Sequence, residues 1–63
     1  MKNLSPRQRE ILQHLAQGKD NKTIARDISI SPKTVKNHLT AVFRQLNVES
    51  RTQAAILAIR QSA

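Results

Sequence analysis

SPKTVKNHLTAVFRQL, residues 31–46, reads as one amphipathic helix from end to end. Ser31 stands where an N-cap belongs, and its hydroxyl can accept one of the N–H groups that a first turn leaves unpaired. Pro32 follows at the first helical position, where its missing N–H removes nothing. The rest divides at helical period. Val35, Leu39, Val42, Phe43 and Leu46 share one face, and Lys33, Lys36, Asn37, Thr40 and Arg44 share the other.

That second face carries no carboxylate. A face that only meets water usually mixes signs and gains pairs between residues four apart. Asn37 and Thr40 are also mediocre helix formers, so propensity does not account for them. Both are side chains that can read base edges in a major groove, and Lys36 lies one turn before Thr40.

Length and charge narrow the alternatives. At 63 residues the chain makes one small domain, 1–63, too small to enclose an ordinary substrate pocket. Lys and Arg number 11 against 4 Asp and Glu, a net charge of +7 that favours a polyanionic partner. There is no cysteine, hence no disulfide framework and no thiolate zinc site. The longest apolar run, residues 54–59, is far too short to span a bilayer, and MKNLS lacks the apolar core of a signal peptide. A cytoplasmic protein with no membrane association is expected. Phe43 is the sole aromatic residue, which argues against base stacking on aromatic platforms and so against single strands.

Outward from the central stretch, the same kinds of signal recur. Ser5, Pro6 and Gln8 start a helix with an S-x-x-Q capping box. Ile11, Leu12, Leu15 and Ala16 give it an apolar face, and Gly18 ends it. Asp20 caps a short helix whose Ile24, Ala25 and Ile28 face inward. Asn47 substitutes for glycine beyond the long helix. Ser50 to Gln53 repeats the S-x-x-Q box and opens a last helix. The spacing predicts an all-α domain with helices over 6–17, 21–28, 32–46 and 51–61. Two short-linked helices, the second amphipathic and basic, form a helix-turn-helix pattern.

Taken in order, LSPRQREIL, AQGKDNKTIA, ISISPKTVKNHL, VFRQLNV and SRTQAA resemble the C-terminal DNA-binding domain of the LuxR/NarL family of bacterial transcription regulators. The resemblance runs from Leu4 to about Ile59, and it is most specific at Asn21–Ala25 and Thr34–His38. It implies a four-helix domain whose third helix enters the major groove of double-stranded DNA. By position it implies base contacts from Lys36, Asn37 and Thr40. Phosphate contacts are implied for Lys22, Lys33, Thr34 and Arg44. The fourth helix is where such domains often dimerise, and RNA polymerase is a further partner expected of such a regulator. Relatives usually carry an N-terminal receiver or ligand-binding domain, which these 63 residues do not contain. Two positions depart from the family pattern. Gln8 stands where Glu is common, which forgoes a favourable charge at a helix N-terminus. Thr40 stands where a longer basic residue is common, so readout there is either a contact to a thymine methyl or absent.

Residues 54–59 are apolar over more than one face, so part of the last helix must point away from its own domain. Gln53, Ile56, Leu57 and Arg60 are the expected dimer contacts. His38 borders the apolar and basic faces, and no metal-ligand set is expected at His38 or His14. No metal or cofactor is expected. An enzyme lacks its parts here: no cysteine, no nucleophile elbow, no phosphate-cradling glycine loop. Two other readings share the pattern. One is a helical protein-interaction module whose basic face meets an acidic partner. The other is a sigma-factor-like promoter-recognition domain.

Overall fold

The computed structural model describes residues 4–62; residues 1–3 and 63 of the expected 1–63 unit lie outside it. Among the described residues there are four helices and no strand: α1 (Pro6–Ala16), α2 (Asn21–Asp27), α3 (Pro32–Leu46) and α4 (Arg51–Ser62). The expected ends at 17, 28 and 61 each move by one residue. Gln17 and Ile28 keep their N–H bonds to the preceding turn, but their ψ angles, 1° and 12°, have left the helix.

The helix starts follow their caps. At α1 the box is complete: Gln8 N–H donates to Ser5 Oγ at 3.1 Å, and Ser5 N–H donates to Gln8 Oε1 at 3.0 Å. Asp20 accepts from Thr23 N–H at 2.8 Å and Ser31 from Thr34 N–H at 3.1 Å. At α4 the expected box is altered. Gln53 N–H donates to Ser50 Oγ, but the Gln53 amide oxygen accepts from Glu49 N–H at 2.8 Å rather than from Ser50. The glutamine carbonyl reaches one residue further back, so the donor it satisfies belongs to the connecting loop.

α1, α2 and α3 end in one way. Each is followed by a residue in left-handed conformation: Gly18 (φ 87°), Ser29 (φ 61°) and Asn47 (φ 56°). At each, the next residue's N–H returns to a carbonyl five back, Lys19 to His14, Ile30 to Ala25 and Val48 to Phe43. This is the Schellman geometry, which satisfies the orphan carbonyls of a terminal turn. Glycine and asparagine tolerate it; serine has a Cβ that crowds the neighbouring carbonyl. Ser29→Gly is therefore expected to stabilise the domain by about 0.5–1 kcal/mol, after the larger unfolded-state entropy of glycine is subtracted. Chemical denaturation checks this, and a lowered midpoint would show that Ser29 is not strained.

α1 lies at the centre of the packing. α4 packs chiefly on α1, and α3 packs on both α1 and α2. Ile11, Leu12 and Leu15 of α1 meet Ile24 and Ala25, then Val35, Leu39 and Val42, then Ala54 and Ala58. Leu4, just before the first cap, is buried with them. Ala54 and Ala58 sit four apart, one above the other, so α4 can approach α1 closely. Phe43 and Leu46 are only partly buried, at the far end of the long helix. No polar or charged side chain is buried among the described residues.

Candidate nucleic-acid interface

α2 and α3 pack together across residues 28–31, and this pair carries most of the candidate residues. Val35, Leu39 and Val42 anchor α3 to the core, so its opposite face must look outward. Lys33, Lys36, Asn37, Thr40 and Arg44 are all exposed there, as the spacing requires. Lys22, in the first turn of α2, is exposed as well. Thr34 and His38 are half-buried along the sides of the helix.

The charges of this face are uncommitted. Among the described residues the ion pairs are Arg7 with Glu10, Lys19 with Asp27, and Arg26 with Asp27. Lys22, Lys33, Lys36 and Arg44 take part in none of them. Three such cations on one face of α3, with Lys22 exposed on α2, make a field that draws an anion from a distance. The hydroxyls at the start of α3 add to this. Ser31 Oγ and Thr34 Oγ1 lie 2.8 Å apart, and either can be the donor. Whichever donates, the other keeps its hydrogen, so one hydroxyl donor stays available beside the helix N-terminus.

Thr40 differs from its neighbours. Its hydroxyl donates to the Lys36 carbonyl at 3.0 Å, within the helix itself. Nothing in the spacing announces that bond, because serine and threonine in helices take it only in some rotamers.

Two groups that hold the pair in place were not legible as functional residues. Arg51, at the start of α4, donates to Asn21 Oδ1 at 2.7 Å and to the Lys19 carbonyl. It spans about thirty residues of sequence to fix the start of α2, and no local signal marks such a contact. Lys19 Nζ lies 2.8 Å from His14 Nδ1 and 2.9 Å from Asp27 Oδ2, tying the end of α1 to the end of α2. Lys19 is thus engaged in the fold, and His14 serves that joint.

Two carboxylates in these helix starts and joints contribute to the domain's acid sensitivity. The Thr23 backbone N–H, followed by its hydroxyl, holds the Asp20 carboxyl below the usual range. The Lys19 ammonium does the same for Asp27, by hydrogen bond first and charge second. A carboxylate with a lowered folded value stabilises above its unfolded value and loses that contribution as pH falls through the folded one. Stability is expected to hold at neutral pH and decline below about pH 4. Asn caps as well as Asp and does not titrate, so Asp20→Asn should give a shallower acid decline in melting temperature. An unchanged acid profile in that variant would remove Asp20 as a contributor.

Beside α4 lies a shallow open groove of about 410 Å³, lined by Leu46, Asn47, Val48, Gln53, Ile56, Leu57 and Arg60. All the expected dimer contacts, Gln53, Ile56, Leu57 and Arg60, line it. Ile56 and Ile59 are 47% and 55% exposed, large aliphatic side chains that the domain's own core leaves uncovered. Among the described residues no helix is long and apolar enough to cross a membrane, and no three metal-ligating side chains cluster.

Known proteins share this arrangement. The family model described as bacterial regulatory proteins, luxR family, matches residues 2–58. The nitrate/nitrite response regulator protein NarP of Escherichia coli is 47% identical over 92% of this chain. The chain spans 27% of NarP, and it covers little more than a quarter of several such curated regulators. The spore germination protein GerE of Bacillus subtilis is 40% identical over 90% of this chain and 77% of its own length. A chain in the crystal structure of the anti-activator RapF complexed with the response regulator ComA DNA binding domain has a TM-score of 0.84 at 40% identity. That match covers 87% of this chain and 95% of the other. The protein belongs to the luxR family of bacterial regulatory proteins, as a helix-turn-helix domain of the kind that binds DNA in transcription regulation.

Proposed function

We propose that residues 1–63 act as one unit that reads double-stranded DNA with α3 in the major groove. The carrying observation is the exposed face of α3, where Lys33, Lys36, Asn37, Thr40 and Arg44 stand together without a carboxylate or an ion partner among the described residues. Lys36, Asn37 and Thr40 are assigned to base edges. Lys22, Lys33, Thr34 and Arg44 are assigned to phosphates, with the free N–H groups at the start of α3 beside them. A second copy docks through α4, Gln53, Ile56, Leu57 and Arg60 covering the exposed aliphatic groove. The patch is small for a stable interface, so the pair forms on DNA, where two half-sites hold the copies together. The setting is the bacterial cytoplasm, RNA polymerase is the downstream partner, and no catalysis is involved.

Salt dependence tests the phosphate assignments. Binding to duplex DNA should weaken linearly in log salt, and Lys33→Ala should reduce the slope by about 0.9 per bound copy. An unchanged slope would remove Lys33 from the phosphate contacts. Indifference to duplex DNA at low salt would favour the protein-interaction module instead. That module draws support from the ComA DNA binding domain, whose crystal structure is a complex with an anti-activator protein. A sigma-like domain would instead bind core RNA polymerase stably.

A further inference from the structure

We propose that Thr40 offers DNA its γ-methyl group, not its hydroxyl hydrogen, and thereby selects thymine at one position of each half-site. This rests on the reading that α3 lies in the major groove. A threonine has one hydroxyl hydrogen. A carbonyl oxygen only accepts, so with Thr40 Oγ1 3.0 Å from the Lys36 carbonyl the hydrogen belongs to that bond. Thr40 then has no donor left for guanine O6 or N7, adenine N7 or thymine O4.

The same bond fixes the methyl. Both heavy γ atoms hang on one Cβ, so holding Oγ1 against the helix backbone sets the direction of the other. Thr40 is exposed on the face of Lys36 and Asn37. It therefore presents a pre-set apolar group between polar neighbours. In the major groove the apolar feature of a base pair is the thymine C5-methyl. Lys36 one turn earlier supplies the donor of that surface, so the two residues divide the task. Lys36 favours acceptor-bearing guanine, and Thr40 favours the methyl-bearing base.

The experiment uses a duplex enriched from a random library by this domain. Each thymine is replaced in turn by uracil, which deletes only the methyl. One replacement should weaken binding about fourfold per half-site, the worth of one buried methyl-sized group. Thr40→Val keeps the methyl and loses the hydroxyl, so it should retain that penalty. Thr40→Ser keeps the hydroxyl and its bond but loses the methyl, so the penalty should vanish. Thr40 is exposed, and circular dichroism of both variants verifies that the fold is intact. A uracil penalty equal in the wild type and Thr40→Ser, or no penalty at any thymine, would overturn the assignment while leaving major-groove reading in place. Enrichment of no sequence at all would overturn both.

Discussion

Replacing Ile24 by alanine is expected to lower the melting temperature by roughly 10–30 °C. Ile24 is 0% exposed and is one of two buried residues on α2, the other being Ala25. Truncating a buried isoleucine to alanine removes about 2–5 kcal/mol, partly as lost transfer energy and partly as the void left behind. A domain of 63 residues has roughly 3–9 kcal/mol in total. One side chain thus carries a large share of it. The loss falls on α2, so amide exchange should accelerate there first, ahead of α1 and α3. Because α2 holds Lys22 and braces α3, DNA affinity should fall with it. A Tm within a few degrees of the wild type would mean that α2 is not held through this contact.

Lys36→Ala should leave the fold intact and damage recognition. The side chain is exposed and takes no part in the core, so its melting curve should overlay the wild type. If Lys36 donates to guanine O6 and N7, discrimination at that base pair should drop by about 1–3 kcal/mol, roughly 5- to 150-fold. Two half-sites double the energetic effect. The distinguishing measurement is a panel of duplexes that differ at single base pairs. Loss confined to one position per half-site identifies a base reader. Equal loss on every duplex identifies a phosphate contact.

How far the sequence reveals this fold and this face depends on the range of each interaction. Caps were legible because they are local. Ser5, Asp20 and Ser31 each bond an N–H three residues on, and Gly18 and Asn47 mark left-handed positions by residue type. Ser29 takes the same conformation without the type that announces it; the Ile30 N–H bond back to the Ala25 carbonyl closes α2 there. The second capping box failed in detail because glutamine is long enough to reach either Ser50 or Glu49. The exposed face of α3 was legible from period alone. Arg51, reaching Asn21 and Lys19, was not, since only the fold brings those groups together. The Thr40 back-bond lies within one helix, yet it is a choice of rotamer and so has no sequence signature.

A helix α3 that reads bases differs from one that merely adheres to phosphate in the sequences it retains. Selection of duplexes from a random DNA library by the purified domain, at moderate salt, tests base reading most directly. The expected result is enrichment of a defined half-site, paired about a two-fold axis, with guanine and thymine at positions that Lys36 and Thr40 variants relax. Retention of duplexes without any enriched sequence would contradict it, leaving a basic surface that binds by charge alone.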